Sequence, residues 1–309
     1  MTARRVLAGA LALGAGALAY ASLIERNAFG IRRESVDVLE PGANPIRVLH
    51  LSDLHLAPWQ ARKIEWVQSL AELRPDLVIA TGDMLGHKDA VPALHSALSP
   101  FDGIPGVFVH GSNDYFGPTV PNPLSYLWKT SSEREHGEPL DTVALEALYA
   151  RLGWLNLNNA SVRLTISDSR IVFAGTDDAH LGRDRLDTVT AAAEAALESD
   201  TDAVGTFLGV THAPYRRVLN FLTTLGVDAI FAGHTHGGQV CVPGVGALTT
   251  NSDLPVSLAR GLSVWNHHAR SAFLNVSAGV GTSIYAPVRF ACPPEAVLVT
   301  LRPRDFGYS

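Results

Sequence analysis

The sequence predicts a mixed α/β fold, with two β-sheets packed face to face as a sandwich and helices on the outside. Three observations lead there. Short apolar runs that read as buried strands alternate with stretches of helical period through the first half of the chain. Strand-like runs then follow one another directly in the middle and near the end. No linker divides the chain from about residue 27 onward, so a single domain, 27–309, is expected behind an N-terminal segment, 1–25.

The elements read as follows. Phe29 to Leu39 is strand-like and ends at Pro41-Gly42. Arg47 to Leu51 is a buried strand that delivers Ser52-Asp53-Leu54-His55. Lys63 to Leu73 places Ile64, Val67, Leu70 and Leu73 on one helical face and stops before Pro75. Asp76 to Ala80 is the next strand and runs into Thr81-Gly82-Asp83. Ala90 to Leu98 is a helix, and Val107 to Val109 a strand ending at His110-Gly111-Ser112-Asn113-Asp114. Tyr115 to Asp141, with Tyr126 and Trp128, is rich in Pro, Ser and Gly and reads as a long irregular insertion; it would cover a site, touch lipid or lie on the surface.

Thr142 to Leu152 is a helix capped by Asp141. Val162 to Ile166 and Ile171 to Ala174 pair through the turn Ser167-Asp168-Ser169-Arg170. Leu186 to Leu197 is Ala-rich and helical. Thr206 to Val210 is a buried strand delivering Thr211-His212. Pro214 suits a helix first turn, Val218, Leu219, Leu222 and Leu225 form its apolar face, and Gly226 caps it. Asp228 to Ala232 then leads into Gly233-His234-Thr235-His236-Gly237-Gly238. In extended backbone, alternate residues share a face, so both imidazoles aim at one point, and the glycines would leave room for a ligand. Ser271 to Val276 and Ala296 to Leu301 are late strands.

Composition bounds the function. The chain has 309 residues, 47% of them hydrophobic, and a formal net charge of -6. That supports a substantial core, and no basic stripe exists for nucleic acid. Cys241 and Cys292 lack metal or redox spacing and read as unpaired thiols rather than a bridge. Val6 to Ile24 is a run of nineteen uncharged residues behind Arg4-Arg5. Three readings compete: a single-pass anchor in the cell membrane, a signal cleaved near Ala19-Tyr20-Ala21, or a core helix. Length favours the anchor, with a short tail inside and the domain outside the cytoplasm. Arg26, Arg32 and Arg33 blunt that charge bias.

Asp53, His55, Asp83, Asn113, His212, His234 and His236 all follow short buried strands. In open α/β sheets such strand ends form one rim where ligands bind. Each residue alone has a bland reading as a turn former or a satisfied polar group. Together they offer more nitrogen and oxygen ligands than one tetrahedral ion takes, and enough for two divalent ions, Mn, Fe or Zn, with one carboxylate shared. A hydroxide bridging such a pair would be the nucleophile.

Asp53-Leu54-His55, Gly82-Asp83, Gly111-Ser112-Asn113-Asp114, Thr211-His212 and Gly233-His234-Thr235-His236 together resemble the spaced signature of the calcineurin-like metallophosphoesterases. That resemblance implies a four-layer fold, a two-sheet sandwich flanked by helices. It implies a first metal on Asp53, His55, Asp83 and His236, and a second on Asp83, Asn113, His212 and His234. With the apolar N-terminus, Gly281-Thr282-Ser283 and Arg289-Phe290 look like a bacterial branch labelled phosphodiesterases or UDP-diacylglucosamine pyrophosphatases.

One motif departs. The family has Gly-Asn-His-Asp or Glu where this chain has Gly111-Ser112-Asn113-Asp114, so the family's histidine has no direct equivalent. Asn113 is taken as the ligand because an amide oxygen binds a hard cation better than a hydroxyl. Three accounts stay open: Asp114 or a nearby histidine substitutes, the substrate has a good leaving group, or catalysis is weakened. Asp114 is taken as the catalytic residue, with His87, His110 and His180 in or beside motif loops. The expected activity is a metal-dependent phosphodiesterase or pyrophosphatase on a phosphate ester, lipid-linked and nucleotide-linked forms included. The alternative is a membrane-tethered metal-binding scaffold without turnover. Clustered carboxylates without metal would repel one another, which counts against it.

Overall fold

A computed structural model describes residues 2–119, 137–198 and 205–305. Most of the expected insertion, with Tyr126 and Trp128, lies outside the described residues. Helix α1 (Thr2–Ala19) continues through a π turn (Tyr20–Ile24) and a 3-10 turn (Glu25–Asn27) into β1 (Gly30–Leu39). Then come β2 (Ile46–Leu51), α2 (Ala61–Ser69), β3 (Leu77–Ala80), α3 (Val91–Leu98), β4 (Gly106–Phe108), α4 (Ser112–Tyr115), α5 (Thr142–Arg151) and β5 (Trp154–Asn156). The hairpin β6 (Ala160–Ile166) and β7 (Ser169–Gly175) leads to α6 (Leu186–Glu198), β8 (Thr206–Val210), α7 (Arg216–Leu225) and β9 (Ala229–Ala232). A small ribbon, β10 (Cys241–Val242) and β11 (Gly246–Ala247), precedes β12 (Gly261–His267), β13 (Arg270–Val276) and β14 (Glu295–Pro303).

Two six-stranded sheets result, ordered β1-β14-β2-β3-β4-β5 and β12-β13-β9-β8-β7-β6. Strands β2 to β5 run parallel, as do β7, β8, β9 and β13. Their inner faces meet through Val48, Leu77, Ile79, Val107, Phe173, Leu208, Val210, Phe231 and Val299. Helices α2, α3 and α5 cover the outside of the first sheet through Val67, Leu94 and Leu148. Helices α6 and α7 cover the second through Val189, Val218 and Leu222. The architecture is the mixed α/β, helix-flanked double sheet that the strand pattern predicts. Parallel strands need crossover helices, so burying both faces of each sheet is the direct consequence.

Local signals set several boundaries. Asp141 caps α5, its carboxylate accepting from Ala144 N at 2.9 Å. Gly226 ends α7 at φ 97°, in the left-handed region a Cβ disfavours. Pro214 lies outside α7, which starts at Arg216, where Asp253 accepts the Arg216 N–H at 2.7 Å. Strands β5 and β12 have no counterpart in the expected elements. Both are edge strands, and their alternation is weak because only one flank is paired. Strand β14 inserts between β1 and β2, an order set by long-range pairing alone.

The stretch Arg4–Asn27 is long and apolar enough to cross a membrane, with a mean hydropathy of 1.8 and 6% of its most apolar window buried. Its C-terminal end is docked on the domain. Ala21 and Glu25 are buried, Arg289 N donates to the Ala21 carbonyl at 3.2 Å, and Cys292 N donates to Glu25 Oε1 at 2.6 Å. Cys241 and Cys292 are both free and buried.

Candidate metal centre

Every candidate ligand lies just beyond the carboxyl end of a parallel strand: β2, β3, β4, β8 or β9. Strands β2, β3 and β9 stop there as the chain turns through left-handed backbone. Asp53 (φ 50°), His55 (φ 40°), Asp83 (φ 54°), His234 (φ 69°) and His236 (φ 49°) all adopt it without being glycine. Such conformations cost about 1–3 kcal/mol each and survive only where surrounding packing enforces them. Five of them on one rim mark the site as a place where fold stability yields to side-chain direction.

Asp53, His55, Asp83 and His236 bring ligand atoms within 4.8 Å of one another. His55 Nε2 faces His236 Nε2 at 3.1 Å and Asp83 Oδ2 at 3.4 Å, while His236 Nε2 lies 3.5 Å from Asp53 Oδ1. A second group adjoins it through Asp83. His212 Nε2 is 3.5 Å from Asp83 Oδ1 and 3.2 Å from His234 Nδ1. Asn113 donates to Asp83 from its backbone at 2.7 Å and its side-chain amide at 2.8 Å. All seven predicted ligands thus gather in one cluster, with Asp83 between its halves.

The donor set fits divalent cations. Asp53 Oδ1 is buried with no hydrogen-bond partner among the described residues. The Nε2 atoms of His55 and His236 point at each other and at carboxylates, an arrangement a shared cation satisfies and a hydrocarbon filling would not. His212 Nδ1 donates to the Thr81 carbonyl at 2.7 Å and His234 Nε2 to the Asn251 carbonyl at 3.1 Å, which turns their other nitrogens inward. Gly111 completes the shape, since a Cβ there would collide with Asp83 Oδ1 and the His212 ring.

Electrostatics follow from burial. Burial raises the Asp83 pKa to about 7, with His212 opposing and Asp53 and Asp114 adding to the rise. Burial resists a charge on His212, yet Asp83, Asp53 and Asp178 bring it up to about 9. Burial, then Lys63, takes His55 down to about 3. A proton on His212 therefore offsets the carboxylates, and a bound cation would replace it.

Asp53 is held from behind by a buried chain of hydrogen bonds. Arg32 donates to Asn275 Oδ1 (3.0 Å), Asn275 to His50 Nδ1 (2.9 Å), and His50 Nε2 to Thr81 Oγ1 (2.8 Å). Thr81 donates to Ser52 Oγ (2.7 Å), and Ser52 to Asp53 Oδ2 (2.5 Å). Arg289, fully buried, donates to the carbonyls of Ala278, Gly279 and Gly281 beside Asp53. Ser52, Thr81 and Arg289 stand in or beside motifs in the sequence, but none carried this role there, and His50 and Asn275 carried no signal.

Two expectations meet a different geometry. Asp114 is buried, and its oxygens accept from the backbone N–H of Asp83, Met84, Leu85 and Gly111 at 2.8–3.2 Å. With its acceptors spent there, it positions the Asp83 loop instead of facing the cluster as a catalytic group. Gly237 and Gly238 leave no open approach: a Cβ on either would strike Cys292 and Ala278, or Ala247. Of the neighbouring histidines, His110 is buried against Glu146 and Asp114, and His87 is half-buried beside Trp59 and Asp89. The His180 ring lies tilted against the His234 ring, centroids 4.5 Å apart, with its Nδ1 3.0 Å from Tyr215 Oη. That contact spans a long sequence gap and left no trace in local pattern.

A model of the calcineurin-like phosphoesterases matches residues 46–238, which include all seven clustered side chains. The chain is similar to the uncharacterized metallophosphoesterase YkuE of Bacillus subtilis, 24% identical over 310 residues, covering 95% of this chain and 94% of that one. It is 29% identical over 266 residues to the uncharacterized protein YpbG of Bacillus subtilis, covering 84% and 82%. A cattle (Bos taurus) protein called a transmembrane protein with metallophosphoesterase domain is 26% identical over 219 residues, covering 69% of this chain and 45% of that one.

Proposed function

The chain belongs to the calcineurin-like phosphoesterase family, and from that premise we propose that it cleaves a phosphodiester or pyrophosphate bond at the membrane. Family and ligand cluster together make it a metal-dependent phosphoester hydrolase. The observation that carries the reading further is Asp83, whose two oxygens face different histidines, His55 on one side and His212 on the other.

Asp53, His55, Asp83 and His236 would hold one ion, and Asp83, Asn113, His212 and His234 the other. When bound, such a pair supplies Lewis-acid polarisation of a phosphoryl oxygen and water of lowered pKa. The chain's own part is positioning. Asp114 fixes the Asp83 loop, the Arg32-to-Ser52 chain aims Asp53, and Asn113 lies against Asp83 at the edge of the cluster. His180, beside His234, would be the imidazole to meet a phosphoryl oxygen where the family's histidine is lacking. A diester or pyrophosphate suits this arrangement because its leaving group needs less help from a protonated side chain than an alkyl phosphomonoester does.

Helix α1 acts as a single-pass anchor, with the domain outside the cytoplasm. The 24-residue stretch Arg4–Asn27, which begins in α1, and the transmembrane relative support the anchor, and the short Arg4-Arg5 tail supports the side. Lipid-linked substrates, UDP-diacylglucosamine type included, fit that placement. Ser112-Asn113 in place of the family's residues favours one competing reading, a tethered scaffold that binds metal without turnover. The deciding experiment is hydrolysis of bis-(p-nitrophenyl) phosphate by the full chain with Mn, beside Asp83→Asn. Metal-dependent turnover lost in Asp83→Asn is expected. Metal binding without turnover would overturn the enzyme reading in favour of the scaffold.

A further inference from the structure

The metal centre has an uncharged, apolar rim on one side. From Gly237 to Ser252 the sequence contains no Lys, Arg, Asp or Glu. Within it Val240, Val242, Val245 and Leu248 are 46, 41, 76 and 65% exposed, clustered on and around the β10–β11 ribbon. Hairpin tips in water carry polar turn residues, so a concentration of exposed aliphatic side chains at one tip marks a contact surface.

The ribbon is tied to the metal centre at its foot. Gly238 packs on Ala247, and the Asn251 carbonyl accepts from His234 Nε2 at 3.1 Å. It is equally tied to the end of α1. Val240 bridges to Phe290, Cys241 N donates to the Phe290 carbonyl at 2.8 Å, and the Phe290 ring meets Tyr20 edge to face at 6.3 Å. The apolar helix therefore leaves the domain next to the ribbon, with Leu23 and Ile24 exposed at the junction. The docked contacts at Ala21 and Glu25 restrain it from swinging away.

We propose that the β10–β11 ribbon seats in the interfacial layer of the bilayer that α1 enters, so that the metal centre meets phosphate groups held at the membrane surface. This rests on the anchor and phosphoesterase readings above. Continuity with α1 selects the bilayer as the occupant: a surface already pinned beside a membrane-crossing helix lies at headgroup depth, where aliphatic side chains partition favourably.

The test uses the full chain reconstituted in phosphatidylcholine–phosphatidylglycerol vesicles. Val245→Cys and, as control, Val143→Cys on α5 are labelled with bimane; Val143 is 78% exposed and the native thiols are buried. With nitroxide lipids, quenching by about two-fold or more is expected at position 245 and none at 143, as for a 5–10 Å interfacial insertion. Equal quenching at both sites, or none at 245, overturns the proposal; the latter leaves a protein partner as the cover. A chain that fails to float with the vesicles overturns the anchor reading and the proposal with it. In parallel, Val245→Asp/Leu248→Asp should lose at least about ten-fold activity on a vesicle-borne phosphodiester while keeping that on bis-(p-nitrophenyl) phosphate. Absence of turnover by the native chain on the soluble diester would sink the phosphoesterase reading, and the quenching would still decide the ribbon.

Discussion

With its oxygens taking N–H bonds from Gly111, Asp83, Met84 and Leu85, Asp114 holds two strand-end loops in register. Burial would raise its pKa, but His110 and those N–H groups hold it below the usual carboxylate range. An amide would present a donor to donors. Asp114→Asn should therefore destabilise the fold by about 2–4 kcal/mol, read as a shift in urea midpoint, and weaken Mn binding. An unchanged midpoint would refute the positioning role. His50 offers a pH test. Burial, then Arg32, takes its pKa down to about 3, below an unfolded value near 6.5. The unfolded chain thus binds more protons in between, so stability present above about pH 6.5 is lost as pH falls toward 3. His50→Gln should flatten that acid limb by up to about 1.4 kcal/mol per pH unit, seen in urea unfolding at a series of pH values. An identical slope in both proteins would refute it.

Among the elements, the parallel strands do more than build a core. Strands β2, β3 and β9 end in turns whose left-handed residues bring candidate ligands onto the common rim. Those turns were legible in advance, because a short apolar run followed by Asp, His or Gly is a local signal. Which turns touch was not legible. Gly111 shows the difference: as a motif glycine it is unremarked, while in the fold its bare α-carbon lets β4's end approach Asp83 and His212. Gly111→Ala should lower metal affinity by more than about ten-fold, the scale of supporting-contact losses at metal sites, while far-UV circular dichroism stays native. Undiminished binding by isothermal titration would show that the loop yields to the added methyl.

For the whole molecule, the cluster sets carboxylates and histidines in a buried space where mutual repulsion opposes folding until a cation enters. Binding to the folded state alone stabilises it by mass action, about 2.7 kcal/mol at a hundred-fold excess over Kd. Mn should accordingly raise the melting temperature of the native chain relative to EDTA, and leave Asp83→Asn unmoved. Equal shifts in both would place the stabilising ion elsewhere. The same scale holds the link between the apolar N-terminal helix and the site, since Tyr20, Ala21 and Glu25 dock on the loop that carries Phe290 and Cys292. An apolar N-terminal run is visible in any hydropathy reading. Its docking against the domain is not, because the partners stand more than 260 residues apart.

Residue type and spacing alone determined the mixed α/β class, most of the strands and the turns that carry the candidate ligands, because strand and helix periods and turn chemistry are properties of neighbouring residues. Tertiary structure decided that Asp83 is shared between two groups of histidines and that Asp114 is spent on backbone N–H groups. It also set β14 between β1 and β2, and Arg32 at the head of a chain that reaches Asp53 through Asn275. Those outcomes depend on which distant side chains compete for the same buried donors and space. That competition exists only once the two sheets have closed on each other.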